Sequence, residues 1–127
     1  MSLKLKLNFV LQERGAMVIS ETHQKINTLK GLVPGGFVFV LDTTDRSFIF
    51  KSKKSPDCEQ RVISLDKIYG IDTLTKGSNY YHHEDDTSLV KISKIGDNTF
   101  LGLCAPKRNI SAAQWERAED YLRVMEM

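Results

Sequence analysis

The sequence has 127 residues, of which 41% are hydrophobic and 27% are charged. These values are typical of one globular domain that buries a core without disulfides or metals, so we interpret residues 1–127 as a single domain. Eighteen basic and sixteen acidic residues give a net charge of +2, which is too balanced to predict a nucleic-acid-binding protein.

The sequence lacks the hydrophobic signals of membrane insertion and export. No apolar run approaches the roughly 20 residues of a membrane-spanning helix. The first seven residues alternate between apolar and polar instead of forming the apolar segment of a signal peptide. Two cysteines, Cys58 and Cys104, are too few for a disulfide framework. We therefore predict a cytoplasmic protein with reduced thiols.

Residues 3–11 are predicted to form the first strand, because every second residue is apolar. A period of two places those side chains on one face of an extended chain. The core residues expected from this strand are Leu5, Leu7 and Phe9.

The next part of the chain is predicted less sharply. Residues 16–20 follow a turn and are predicted to return as a second strand. Residues 20–33 fit two structures equally, a short helix capped by Ser20 or a long loop. Pro34 and the two glycines after it end either one, since proline cannot donate a ladder hydrogen bond.

A strand-turn-strand unit is the clearest pattern in the middle of the chain. Residues 37–41 are continuously apolar, as in a strand covered on both faces. Residues 42–45 have turn chemistry, and 47–50 are predicted to pair back as the second strand of a hairpin. We expect Phe39 and Ile49 in the core.

Two polar loops and a short strand are predicted after this hairpin. The first loop covers 51–60, and the strand covers 61–65 with Ile63 in the core. The second loop covers 76–87, where tyrosines, histidines and carboxylates follow one another without an apolar period.

The last part of the sequence predicts another hairpin and a helix. Strands over 88–95 and 99–104 flank a Gly-Asp-Asn turn. Ser111 and Gln114 have the spacing of a capping box at a helix start. Apolar residues then recur at spacings of three and four, which predicts one apolar stripe. The core residues expected from this helix are Trp115 and Leu122.

About seven predicted antiparallel strands followed by one helix resemble the pleckstrin-homology and GRAM-like superfold. The resemblance rests on residues 37–50 and on an isoleucine-x-leucine-x-x-isoleucine pattern at Ile63, Leu65 and Ile68. It implies a mainly β protein with two packed sheets or a partly open barrel, closed at one end by the C-terminal helix. The alternative is an α+β protein whose antiparallel sheet has one covered face.

The resemblance does not imply one function, because members of this superfold bind phosphoinositide headgroups, peptides or proteins. We predict a non-catalytic module that binds a protein partner or associates with itself through an edge strand such as 3–11. The alternatives are an anionic phospholipid binder, and a small enzyme or ligand carrier with a cavity between two sheets. No cofactor is predicted.

Basic residues around the first central hairpin are the candidates for phospholipid binding. An exposed cationic patch attracts an anionic headgroup, but lysines beside a hairpin also keep a sheet edge from pairing. The solvated edge is therefore the competing interpretation. The candidate residues are Arg46, Lys51, Lys53 and Lys54.

No metal site or catalytic cysteine is predicted. His82, Glu84 and Asp86 would share one side of an extended chain, and such a set holds a divalent ion. No second cluster completes that set, so a polar loop is the favoured interpretation. No histidine can be placed beside Cys58 or Cys104 to activate a thiol.

Overall fold

The structure, a computed structural model, describes residues 16–124 and the side chains of 21–123. Its elements in chain order are α1 (Ala16–Leu32), β1 (Phe37–Asp42), β2 (Ser47–Lys51), α2 (Pro56–Tyr69), α3 (Ile71–Leu74), β3 (Tyr80–Glu84), β4 (Ser88–Lys94), β5 (Thr99–Pro106), a 3-10 turn (Lys107–Asn109) and α4 (Ala112–Val124). The described chain is therefore an α+β protein.

The five strands form one antiparallel sheet in the order β2–β1–β5–β4–β3. At the centre of the sheet, Gly102 of β5 lies opposite Phe39 of β1 and Ile92 of β4. A Cβ atom at Gly102 would come within 2.1 Å of the Phe39 ring. Glycine at this position therefore allows the Phe39 ring to pack over the central strand.

Helices cover both faces of the sheet, as the alternating residues of β1 show. Phe37, Phe39 and Leu41 belong to the cluster that α2 completes, whereas Val38 and Val40 belong to the cluster completed by α1 and α4. Successive side chains of a strand point to opposite faces, so a strand covered on both faces is apolar throughout. The sheet is thus the middle layer of three.

The predicted mainly β architecture is wrong. The described residues contain one sheet, whose edge strands β2 and β3 do not pair with each other, so they form neither two packed sheets nor a barrel. The cavity predicted between two sheets therefore has no place in the described part of the chain. The alternative, an α+β antiparallel sheet, is nearer to the structure, although both faces are covered.

Two stretches predicted as strands are helical. Residues 16–20 form the start of α1, which continues to Leu32 and so settles the ambiguous segment 20–33 as helix. Residues 61–65 lie within α2. Short apolar runs fit a strand and a helix equally well by periodicity alone. In both places, contacts with the rest of the protein determine that the residues are helical.

The local sequence of α2 explains its bounds and its buried side. Pro56 lies in the first turn of the helix. A backbone N–H in that turn has no acceptor within the helix, so the N–H that proline lacks costs no helical hydrogen bond. The buried residues Cys58, Val62 and Leu65 are spaced four and three apart, which is the helical period. Gly70 has a φ of +79°, which favours glycine and ends the helix.

Both predicted hairpins and the C-terminal helix are confirmed. β1 pairs with β2 and β4 pairs with β5 on either side of the expected turns. In the capping box, the Ser111 hydroxyl oxygen accepts from the N–H of Gln114 at 3.1 Å. The Gln114 side-chain oxygen accepts from the N–H of Ser111 at 3.0 Å.

The expected core residues differ in how deeply the structure buries them. Phe39 and Leu122 are fully buried, whereas Ile49, Ile63 and Trp115 are partly buried. The predicted strand 3–11, with Leu5, Leu7 and Phe9, lies outside the described residues. Within the described residues, every helix is too short or too polar to cross a membrane.

Candidate functional site

β3 places aromatic and histidine side chains at an edge of the sheet. The polar loop predicted over 76–87 is therefore wrong at its centre, where Tyr80–Glu84 pairs with β4. In the described structure β4 is its one neighbour, so the other side of the β3 backbone has no strand beside it. The Tyr81 hydroxyl lies 3.3 Å from Nδ1 of His83, and the two rings stack with centroids 6.3 Å apart.

The end of α2 is exposed next to this edge strand. Ile68 is 69% exposed and Tyr69 is 57% exposed, and no other large hydrophobic side chain in the described residues is as exposed. Burial raises the pKa of Tyr81, and the nearby Tyr69 hydroxyl adds to that increase. Ile68, Tyr69, Tyr81 and His83 therefore form one continuous surface, which we name the α2–β3 face.

A groove of about 860 Å³ adjoins the α2–β3 face. Ile68, Tyr69 and His83 contribute to its lining, together with residues of both charges from α2 and from the ends of β3 and β5. The charged lining residues are Asp57, Arg61, Asp86, Lys107 and Arg108. Apolar side chains within a rim of mixed charge are typical of a protein-binding surface.

An ion pair fixes one end of the groove. Arg61 of α2 pairs with Asp85 in the turn between β3 and β4. Oδ1 of Asp85 also accepts from the N–H groups of Thr87 and Ser88, each at 2.9 Å. These backbone hydrogen bonds, and then the Arg61 charge, lower the pKa of Asp85 to about 2. The carboxylate is therefore charged at neutral pH and holds the turn against α2.

A buried cation joins β3, β4 and α4 on the opposite face of the sheet. The Lys91 side chain is 1% exposed, and its Nζ donates to Glu119 (2.7 Å), to the Tyr80 hydroxyl (3.0 Å) and to Nδ1 of His82 (3.1 Å). Nζ also lies 4.4 Å from the centroid of the Trp115 ring. Because three acceptors satisfy its three N–H groups, this lysine acts as a structural tie.

The four basic residues predicted to bind phospholipid are spread over the β1–β2 hairpin and the loop after it. Three of them already have acceptors, and Lys54 is exposed. The acceptors are Asp66 for Arg46 (2.6 Å), Glu59 for Lys51 (3.0 Å) and the Gly35 carbonyl for Lys53 (2.8 Å). A phosphate would compete with these contacts, and the phospholipid hypothesis stays a prediction.

The residues considered as metal ligands are not assembled into a site. His82 and Glu84 share one side of β3, with Nε2 and Oε1 3.8 Å apart. Glu84 instead pairs with Lys107 at 2.6 Å, and Asp86 lies beyond the end of β3. Among the described residues, no three histidine, cysteine or carboxylate side chains are grouped as a metal site.

Comparison with known proteins identifies the fold. The sequence matches no family model and no curated protein. Three solved structures are similar across most of the chain. MglC from Myxococcus xanthus has a TM-score of 0.58 and 15% identity, over 82% of this chain and 92% of that chain. The gliding protein MglB from Thermus thermophilus has a TM-score of 0.52 and 8% identity, over 81% of this chain and 86% of that chain. MglB in a tetrameric arrangement has a TM-score of 0.50 and 11% identity, over 84% of this chain and 88% of that chain.

These similarities show the Roadblock/LC7 fold in its MglB and MglC form. The resemblance to the pleckstrin-homology and GRAM-like superfold is therefore wrong. The pattern that carried it, at Ile63, Leu65 and Ile68, lies on helix α2 and not on a strand. Identities between 8% and 15% show the fold alone.

Proposed function

We propose that the protein is a non-catalytic interaction module that pairs with a second copy of itself through the α2–β3 face. The observation that carries this proposal is the exposure of Ile68 and Tyr69 directly beside the edge strand β3. Contiguous exposed apolar side chains mark binding surfaces, and an edge strand offers unpaired N–H and C=O groups to another strand. A single partner that supplies both a strand and an apolar surface would cover the exposed apolar side chains and the unpaired backbone groups of β3.

The composition of the α2–β3 face suits its own copy. In a two-fold contact the same surface lies on both subunits. If β3 pairs antiparallel with its copy about His82, Tyr81 of one subunit lies opposite His83 of the other. That contact repeats between chains the Tyr81–His83 stacking present within one chain. The mixed charges of the groove allow cations of one copy to face anions of the other.

The fold supports the same proposal. A structure of MglB, which this chain resembles over 84% of its length, is described as a tetrameric arrangement. Assembly of copies is therefore a property of a protein with this fold.

Sedimentation equilibrium at micromolar concentration tests the proposal. We expect the wild type to be a dimer and Ile68→Asp to dissociate it. Each buried isoleucine contributes about 1.5 kcal/mol or more, and a dimer contains two. Ile68→Asp should therefore weaken dimer formation by about 3 kcal/mol, which is roughly 100-fold in affinity. Ala113→Asp is the matched control, because it adds the same charge on the exposed surface of α4.

Amide hydrogen exchange separates strand pairing from contact through α2 alone. The backbone N–H groups of β3 that point away from β4 should exchange more slowly as the protein concentration rises. Ile68→Asp should abolish that concentration dependence, whereas Ala113→Asp should retain it. A wild type that sediments as a strict monomer, or an Ile68→Asp protein that dimerises as well as the wild type, would refute the proposal.

A further inference from the structure

His82 contacts a buried cation on the side of β3 opposite the α2–β3 face. Successive side chains of a strand alternate between its two faces, so His82 lies on the other side of β3 from Tyr81 and His83. Its Nδ1 is 3.1 Å from Nζ of Lys91, and its ring centroid is 6.1 Å from that of Trp115 on α4. The His82 side chain is still 35% exposed. It therefore connects a buried charge with the edge of the sheet.

The contact with Lys91 requires a neutral imidazole. An ammonium group has N–H donors and no acceptor, so Nδ1 of His82 has to accept the hydrogen bond, which it does only without a proton of its own. The ring hydrogen is then on Nε2, which lies 3.8 Å from Oε1 of Glu84. A second proton on the ring would direct the Nδ1–H at the ammonium nitrogen and place two positive charges side by side. Protonation of His82 therefore breaks this contact.

The groups around His82 act on its charge in opposite directions. Lys91 and, more weakly, His83 disfavour a positive charge on the ring, whereas Glu119 and Glu84 favour it. Both carboxylates already have cationic partners at 2.6–2.7 Å, which reduces what they offer to the imidazole. The charged and titratable residues of this cluster are Tyr80, His83 and Glu84 on β3, Lys91 on β4, Lys107 after β5, and Glu119 and Arg123 on α4.

The proposed pairing of β3 with its copy places two His82 side chains opposite each other. In an antiparallel pair centred on His82, each ring faces the same ring of the other copy, with Cβ atoms about 4.5–5.5 Å apart. The second strand covers the exposed part of each ring, and burial disfavours the charged form. Like charges directly opposite each other across two strands also repel. The dimer therefore binds protons at His82 more weakly than the monomer does.

We propose that His82 makes self-association dependent on pH, so that its protonation separates the two copies in mild acid. This inference rests on the proposed pairing through β3. Because the dimer has the lower His82 pKa, dimer formation is fully favoured above the His82 pKa of the monomer and is lost as the pH falls below it. Two histidines titrate per dimer, so the dissociation constant should rise by up to about 100-fold per pH unit between the two pKa values.

Sedimentation equilibrium of the full chain at about pH 7.5 and about pH 5.5 tests the proposal, with circular dichroism to verify that the chain is folded at both. We expect the wild type to bind its copy more weakly at the lower pH. His82→Gln should have nearly the same dissociation constant at both, because glutamine offers an oxygen to Lys91 and does not titrate. His23→Gln, at an exposed position of α1, is the control and should keep the wild-type dependence.

The possible failures are distinguishable. A wild type that is a strict monomer at about pH 7.5 would refute self-association and this inference together. A wild type that dimerises equally well at both pH values would refute the pH dependence alone. If His82→Gln keeps the wild-type dependence, another group is responsible and the assignment to His82 is wrong.

A titration of the wild type provides a measurement that needs no variant. The imidazole signals of the wild type are followed by nuclear magnetic resonance against pH, in a dilute and in a concentrated sample. Linkage is reciprocal, so the pKa of His82 should be lower in the concentrated sample, whereas that of the exposed His23 should be the same in both. An equal His82 pKa at the two concentrations would overturn the proposal.

Discussion

The ammonium nitrogen of Lys91 lies 2.7 Å from a carboxylate oxygen of Glu119, and this pair ties β4 to α4. The two partners differ in burial, since the lysine side chain is 1% exposed and the glutamate side chain is 36% exposed. Removing one partner of an ion pair costs most when the charge left behind is buried. The two ends of this pair should therefore respond differently to mutation.

We expect Glu119→Ala to lower the free energy of unfolding by about 2–3 kcal/mol, because it leaves the Lys91 ammonium buried with neutral acceptors. Lys91→Met should cost less, about 1 kcal/mol, because water reaches the partly exposed Glu119 carboxylate that remains. Urea denaturation followed by circular dichroism measures both values. Glu116→Ala, at an exposed position of the same helix, is the control and should stay within about 0.5 kcal/mol of the wild type. Equal costs at the two ends would contradict this account of the pair.

The second prediction concerns pH and His82. Burial, then the charge of Lys91, and to a lesser degree His83, lower the pKa of His82, while Glu119 and Glu84 act in the opposite direction. The folded protein therefore takes up this proton at a lower pH than the unfolded chain, which does so near pH 6.5. Between the two pKa values the unfolded state binds more protons, so stability falls as the pH falls below about 6.5.

Replacing His82 tests that assignment. His82→Gln should flatten the decrease in unfolding free energy between pH 7 and pH 5.5. His23→Gln, at an exposed position of α1, should leave the decrease unchanged. If His82→Gln keeps the wild-type pH profile, the titration belongs to another group.

Local signals predicted the parts of this fold that local chemistry determines. Residues 37–41 are apolar throughout because β1 is covered on both sides, and the Ser111–Gln114 capping box fixes the start of α4. Residues 61–65 were predicted incorrectly, since Val62 and Leu65 are apolar in a strand and in a helix alike. Their helical period becomes visible only when Cys58 is included, and Cys58 lies in a stretch that reads as a polar loop.

The candidate surface was less predictable than the fold. β3 contains histidines and a glutamate, because an edge strand needs fewer apolar side chains than a central one. Ile68 entered the sequence analysis only as one position of an apolar pattern, and the structure leaves it exposed. Only the position of α2 on the sheet decides which of its apolar residues face solvent, and that position depends on contacts between distant segments.

The third prediction concerns Asp66, at the corner between α2 and α3. Asp66 is 7% exposed, and its Oδ1 accepts from the N–H of Ile71 at 3.0 Å and from Nη1 of Arg46 at 2.6 Å. Asp66→Ala should lower the free energy of unfolding by about 1–3 kcal/mol, since it leaves a buried N–H without an acceptor. Asp66→Asn should cost less because it retains a carbonyl oxygen. Urea denaturation checks this order, and the reverse order would contradict it.

The fourth prediction concerns the central strand. Gly102→Ala places a methyl group where the Phe39 ring lies, with ring atoms at 2.1, 2.6 and 2.7 Å from the new carbon. Both residues lie in the fully packed centre of the sheet, so neither the ring nor the strand has space to move. We expect a loss of about 1–3 kcal/mol in the free energy of unfolding. Gly96→Ala is the control, because its nearest contact is Thr99 Cβ at 3.5 Å.

A double-mutant cycle identifies the clash as the cause. If the Phe39 ring is what the new methyl group meets, a smaller side chain at position 39 should relieve part of the cost. Phe39→Leu in the Gly102→Ala background should therefore cost less than the sum of the two single variants. Additive costs would mean that Gly102→Ala destabilises the sheet through its backbone and not through the ring.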